Sequence, residues 1–354
     1  MTVIDMSKET SPDGPTVPGG PPTLVDVARA AGVSTATASR VLNGFSRVRP
    51  ETRRQVETAM ATLGYVRQRA GRMSRPRRAG SIAFIVCEEG PRLFSDPFFA
   101  GVLWGASQEL DPVGVPLVLL AVRSTSDYQA AALRYLRQGS VDGALFVSMH
   151  GRRPIDLSKI DVPVVMAGRP PEWGEANRAS YVDADNRGGA ARAVRYLIES
   201  GRSTIATVAG PGDMAPGVDR LEGYRTALAE AGRFDPGLVV YGDFGQVSAD
   251  HAIHRLLDLR PNVDAIFAAS DLMALGALRA LRRTGRRVPD DVSLIGFDDL
   301  PIARHTDPPL TTVRQPVEEM GTRMARELLA LIRGTSTAPS CLVLDTELVV
   351  RMSA

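Results

Sequence analysis

Cysteine and lysine are nearly missing from this 354-residue chain: Cys87 and Cys341 are the only thiols, Lys8 and Lys159 the only ammonium side chains. Two cysteines cannot form a disulfide framework or a thiolate metal site of the usual spacing. Each falls in an apolar, strand-like run, so both are expected as buried thiols. Aromatic residues make up only 5%. No apolar run approaches the roughly 18 to 20 residues that a membrane span requires. The opening "MTVIDMSKET" has no basic segment followed by an apolar one, which makes the cytoplasm the expected location. Catalytic signatures are missing as well, with neither a phosphate-loop pattern nor a nucleophile-elbow pentapeptide. His251 and His254 stand three residues apart without a further ligand cluster, which fits a solvated helix face. Asp183 and Asp185 read as helix caps near a strand end. Neither enzyme chemistry, nor a cofactor, nor a metal is expected.

What the chain does have is an ordinary globular balance, 44% hydrophobic and 23% charged, and enough length for two or three domains. Residues 1–22 are rich in Pro, Gly, Ser and Thr and cannot bury enough apolar surface to fold, so they are expected to be a disordered tail. From Thr23 to Tyr65 the pattern changes. Thr23 is a hydroxyl N-cap, followed by Leu24, Val27, Ala28 and Ala31 on one helical face. "AGVS" supplies a corner at Gly32 and a new cap at Ser34 for a helix through Ala38, Val41 and Leu42. Pro50 opens a third helix bearing Val56, Ala59, Met60 and Leu63. Two helices joined by so short a turn form a helix-turn-helix, whose second helix enters the major groove of DNA. Charge points the same way: Thr23 to Gly80 holds twelve Arg against Asp26, Glu51 and Glu57, a net +9 in a chain whose total is +2. A basic head on a mildly acidic body suits a polyanionic partner.

Residues 67–79 form a basic linker broken by Pro76. Beyond it, apolar runs alternate with amphipathic stretches. Runs at 81–88, 116–122, 143–148 and 163–168 read as buried parallel strands, with helices near 98–110 and 127–138. A second series follows at 204–210, 238–244, 265–270 and 291–297. Two successive βαβ series mean two doubly wound lobes.

Thr23–Tyr65 resembles the headpiece of the LacI/GalR family of bacterial transcription regulators, and "GFDDLPIARHTDPPLTTVRQP" (296–316) is similar to that family's signature near the end of its core. The resemblance implies an all-α helix-turn-helix headpiece (23–66) and an α/β two-lobed, periplasmic-binding-protein-like core (80–354). The implied chain crosses between lobes three times, with lobe one about 80–182 and 312–338, and lobe two about 183–311 and 339–354. It also implies double-stranded DNA with a pseudo-palindromic operator, a homodimer, and a small-molecule effector, most readily a sugar, as partners. A two-fold operator demands a two-fold protein. The rival readings are a transporter's solute-binding protein, which would need a signal peptide and would not carry the +9 head, and a DNA binder without an effector.

Matched by position, Thr35, Ala36 and Arg40 are the implied base contacts. Arg40 suits guanine O6 and N7, and a solvated or phosphate-bound arginine is the alternative. Thr23, Ser34, Thr37, Ser39 and Asn43 match phosphate positions, although capping and local hydrogen bonding also explain the hydroxyls. Arg47, in the loop before the third helix, is expected to add phosphate contact through counterion release. Where the family has a Pro-Asn pair and a minor-groove leucine, this chain has Arg67-Gln68 and Ser74. Either Met73, the nearest apolar wedge, takes the leucine's place in an insertion that costs a few kcal/mol of unstacking, or the linker binds mainly through Arg69, Arg72 and Arg75 with a weaker kink.

In the core, Asp271 matches the family aspartate that hydrogen-bonds effector hydroxyls, with helix capping as the competing role. Arg220 matches a cleft arginine, or else a surface ion pair. Asp298 and Arg169 follow strand ends, where doubly wound folds hold ligands. Phe98 and Phe244 are the aromatic candidates for stacking on sugar C–H faces.

Overall fold

The computed structural model describes residues 23–42, 48–63, 65, 79–88, 90–122, 126–137, 139–150, 160–170, 179–336 and 338–354. The chain divides into a small unit ending at Arg77 and a large one beginning at Arg78. The tail 1–22 and almost all of the linker lie outside the described residues.

The small unit holds α1 (Leu24–Ala30), α2 (Thr35–Leu42) and α3 (Pro50–Leu63). Thr23 opens α1 with a reciprocal capping box, its hydroxyl oxygen accepting from Asp26 N and the Asp26 carboxylate accepting from Thr23 N at 2.8 Å. Gly32 turns the corner at φ +64°, a conformation that a side chain disfavours. The Ser34 hydroxyl then accepts from Thr37 N at 3.2 Å and caps α2. Val27, Ala28, Ala38, Val41, Val56 and Ala59 form the buried core of this unit.

The large unit carries two six-stranded sheets. Its first lobe contains β1 (Ile82–Val86), α4 (Gly90–Ser95), α5 (Pro97–Leu110), β2 (Leu117–Ala121), α6 (Ser126–Arg137), β3 (Gly143–Val147), β4 (Val164–Ala167) and β5 (Ser180–Ala184). The second lobe contains α7 (Asn186–Glu199), β6 (Ile205–Ala209), α8 (Ala215–Glu230), β7 (Val239–Tyr241), α9 (Gln246–Leu259), β8 (Ala265–Ala268), α10 (Asp271–Arg283), β9 (Ser293–Asp298) and β10 (Thr311–Arg314). The chain then returns as α11 (Val317–Arg333) and β11 (Cys341–Leu344) to the first lobe, and as β12 (Glu347–Val349) to the second.

Strand order is β11-β5-β4-β3-β1-β2 in the first sheet and β12-β10-β9-β8-β6-β7 in the second. Among the described residues all pairings are parallel except β10 with β12. Both β1 and β3 are buried along their whole length, which is why they read as continuous apolar runs. Helices α5 and α11 cover one face of the first sheet and approach closely because Gly105 and Gly321 sit at the crossing. A Cβ at Gly105 would strike the Glu318 carbonyl oxygen, and one at Gly321 the Val102 carbonyl oxygen.

Three crossings join the lobes, but not at the expected places. β5 reaches Ala184 within the first sheet, β10 belongs to the second lobe and not the first, and β11 belongs to the first and not the second. Hydrogen bonding decides each case: Thr311–Arg314 pairs with β9, and Cys341–Leu344 pairs with β5. Of strand β5 only the end near Asp183 is readable from sequence, because "SYVDA" is short and half polar. Cys341 is exposed on the edge strand, contrary to the expected burial. Cys87 is half-buried, and loss of solvent pushes its thiol up to about 12.

Candidate functional site

Two surfaces carry the candidate residues. On α2, Thr35, Ala36 and Arg40 are exposed, while Ala38 and Val41 are buried. At 3.6 residues per turn, Thr35, Ala36, Ser39 and Arg40 share an arc of about 140°. The opposite arc packs on α1 and α3. The exposed arc is therefore fixed by the core, and it presents a hydroxyl, a methyl and a guanidinium together. The Ser34 and Thr37 hydroxyls bond each other at 2.8 Å, and Thr23 donates its hydroxyl to Asp26 at 2.6 Å. A phosphate contact from Thr23 would have to exchange that bond. Asn43, Arg47, Met73 and Ser74 lie outside the described residues.

The second surface is a cleft of about 720 Å³, its open mouth included, between the carboxyl ends of the two sheets. Five of the six effector candidates line this cleft: Phe98, Arg169, Arg220, Phe244 and Asp298. The centre is Arg220, almost wholly buried on the first turns of α8. Its Nε donates to Asn186 Oδ1 at 2.9 Å, and its Nη1 donates to Ala269 O at 2.6 Å and to Asp298 Oδ1 at 3.1 Å. The guanidinium lies 3.7 Å from the Phe297 ring centroid. Gln315 Nε2 donates to the same Asp298 oxygen at 2.7 Å.

Burial pushes the Asp298 carboxyl up to about 7 against the pull of Arg220. Burial likewise lowers the Arg220 guanidinium against the attraction of Asp298 and Asp183. Among the described residues, the non-glycine positions with positive φ are Ser148, Phe244, Asp298 and Asp299. Three of these line the cleft. Left-handed backbone at such residues costs on the order of 1–3 kcal/mol each and gathers at ligand sites.

Asp271 is a correction. It lies fully buried behind the cleft wall and is not among the lining residues. Its carboxylate accepts from Leu300 N at 2.7 Å and from the Thr312 hydroxyl at 2.5 Å, tying α10 to the loop after β9 and to β10. Burial holds its carboxyl well above the usual range. The neighbouring Ser270 performs the capping, accepting from Met273 N at 3.1 Å, and it also lines the cleft.

Sequence reasoning missed several lining residues. Asp183, read as a cap, instead lines the cleft and accepts from Arg169 N at 3.0 Å, Ala184 N at 2.8 Å and Asn186 Nδ2 at 2.9 Å, while Asp185 does cap α7 through Gly188 N. Its position at the end of strand β5 was the available signal. Asn186 and Gln315 lie at the two crossings after β5 and β10, and nothing in their local pattern marks them. Arg169, half-exposed, spends its guanidinium on Asp219, with Nη2 at 2.8 and 3.0 Å from the two carboxylate oxygens.

Residues 23–68 match the family described as bacterial regulatory proteins, lacI family, and residues 194–354 match a periplasmic binding protein-like domain. The HTH-type transcriptional regulator CelR of Thermobifida fusca is 48% identical over 335 residues, covering 94% of this chain and 98% of the relative. The transcriptional repressor CytR of Escherichia coli K12 is 34% identical, covering 94% and 96%. Among solved structures, a CelR–cellobiose complex matches with TM-score 0.76 at 46% identity over 94% of this chain and 100% of that one. The lac repressor dimer bound to operator and an anti-inducer matches at TM-score 0.69 with 26% identity, covering 94% and 99%. The chain belongs to the lacI family of bacterial regulatory proteins. It is a transcriptional regulator with a DNA-binding headpiece and a two-lobed core, not an enzyme.

Proposed function

We propose that this protein is a cytoplasmic homodimeric repressor whose grip on a pseudo-palindromic operator is set by an uncharged oligosaccharide, of the cellobiose kind, held in the core cleft. The observation that carries this reading is the charge balance of the cleft lining. Arg92, Arg169 and Arg220 face Asp96, Asp183 and Asp298, three cations against three carboxylates. A charged ligand would add an unbalanced charge to this evenly matched, partly buried lining, whereas hydroxyls can share the bonds already present. Phe98 and Phe244 add ring faces on which the C–H faces of a sugar can lie. The relative that was solved with cellobiose supports the same ligand class.

On the headpiece, Thr35, Ala36 and Arg40 read bases, and Thr23, Ser34, Thr37, Ser39, Asn43 and Arg47 hold phosphates. Met73 takes the place of the minor-groove wedge, beside Ser74. Operator binding by fluorescence anisotropy, with cellobiose and with glucose 6-phosphate in parallel, tests the reading. Cellobiose is expected to weaken operator binding and the phosphate to leave it unchanged. If the anionic sugar acts and the neutral one does not, the charge argument is wrong.

A further inference from the structure

Beside the ligand cleft, two ion-paired contacts span the lobes at its rim. His150 follows β3 in the first lobe; its Nε2 lies 3.5 Å from Glu88 Oε1, at the end of β1, and its Nδ1 lies 3.2 Å from Asp213 Oδ2 in the second lobe. The same Glu88 carboxylate accepts the Ser148 hydroxyl at 2.5 Å and Arg92 Nη1 at 2.8 Å, and Arg92 Nε stands 4.0 Å from Asp96. The other contact is Arg169 to Asp219. His150 and Arg169 extend from the carboxyl ends of β3 and β4; Asp213 and Asp219 lie in the loop after β6 and on α8. Met149 and Met214, next in sequence to His150 and Asp213, both line the cleft.

We infer that His150–Asp213 and Arg169–Asp219 are two clasps that hold the lobes closed over the effector, and that the His150 clasp tightens with acidification. The inference rests on the reading of the cleft as the effector site and adds the residues that govern its closure. Neither second-lobe carboxylate is needed to build that lobe's core: both are part-exposed, and in each contact the partner lies in the first lobe. When the lobes separate, each pair is broken, so closure and pairing are the same event.

The groups facing His150 are Glu88 and Asp213, with Arg92 behind Glu88. The Glu88 hydrogen bond, against burial, raises the imidazole above its ordinary value, and Asp213 adds to this. Burial works to raise Glu88 itself, but His150, Arg92 and Ser148 outweigh it and leave that carboxyl lowered and ionised. Glu88 lies in the same lobe as His150 and keeps its share when the lobes part, so only the rise due to Asp213 is linked to closure. That share favours closure at pH below the open-state value and fades as pH rises through the closed-state value. Effector affinity therefore gains from acidification through this residue.

The test uses the full-length chain labelled with 13C at histidine Cε1; with four histidines, each signal can be assigned by substitution. Without any ligand, His150 is expected to titrate above the ordinary histidine value and to fall toward it in Asp213→Asn. An unchanged midpoint overturns the clasp. In stopped-flow release of cellobiose, Arg169→Gln and Asp219→Asn are each expected to speed dissociation about 1.5- to fivefold, an exposed pair's usual worth, with the double substitution no faster than either alone. Independent, multiplying effects overturn the second clasp. Should cellobiose not bind at all, the sugar reading fails while the histidine titration still decides the His150 clasp.

Discussion

Arg220 shows how one side chain can tie two of the crossings between the lobes to the end of a strand. Its guanidinium meets Asn186 at the first crossing, Asp298 at the end of β9 and, at 3.5 Å from Nη2, Gln315 at the second crossing. Lysine can reach one of these acceptors but cannot fork to all of them. Arg220→Lys is expected to weaken cellobiose binding at least tenfold in calorimetry, the cost of about 1.4 kcal/mol or more. Asp271→Ala is expected to do the reverse: effector affinity within a few-fold of the parent, but stability lower by about 1–3 kcal/mol in urea melts, because Leu300 N and the Thr312 hydroxyl lose a buried acceptor.

Asp298 adds a pH signature. Its folded value, about 7, lies above the ordinary 3.8, so the folded state binds the extra proton. The contribution is fully present below about 4 and is lost as pH rises to about 7. The melting temperature of the parent relative to Asp298→Asn should fall steadily across that window, and a flat difference would show that the carboxyl is not raised. The exchange of roles between Asp271 and its neighbours was not legible from local pattern. An aspartate at a strand-to-helix junction looks the same whether it faces the cleft or the wall behind it, and only the pairing of β9 with β10 puts Thr312 against Asp271. The sequence did place Asp298 at the end of β9 and Arg220 at the start of a helix, α8, because local pattern fixes both junctions.

At the scale of the element, α2 was almost wholly readable. The cap at Ser34, the corner at Gly32 and the buried Ala38 and Val41 leave one possible outward arc. Arg40→Ala is expected to cost about 1–3 kcal/mol of operator affinity and to relax preference at one base pair, measured by anisotropy on matched and single-mismatch duplexes. Equal loss on every duplex would make Arg40 a phosphate contact. The crossing of α5 over α11 was not readable, because neither Gly105 nor Gly321 belongs to a turn and both sit inside good helices. With no room for a Cβ against the Glu318 carbonyl, Gly105→Ala should destabilise the first lobe by about 1–3 kcal/mol although alanine favours helix, and thermal melting would reveal it.

At the scale of the whole molecule, linkage makes a quantitative demand. If the sugar weakens operator binding by some factor, the operator must weaken sugar binding by the same factor, typically 5- to 150-fold. Measuring cellobiose affinity with and without saturating operator checks this, and unequal factors would mean that the two ligands do not share one pair of states. The lobe count was visible in the sequence as two βαβ series, whereas the crossing points were not. Short strands such as β5, β11 and β12 acquire their sheet from long-range pairing, and periodicity carries no record of it.

The return of the chain has a practical corollary for dissecting this regulator. Residues after Arg314 lay α11 and β11 onto one lobe and β12 onto the other, and Ser353 finishes the weave by accepting from Thr311 N at 2.8 Å and donating to the Leu294 carbonyl at 2.5 Å. No single cut in the gene therefore yields two self-sufficient halves. A deletion of the final twenty residues injures both at once, and anyone wishing to study a lobe in isolation must first rewire the order of its segments.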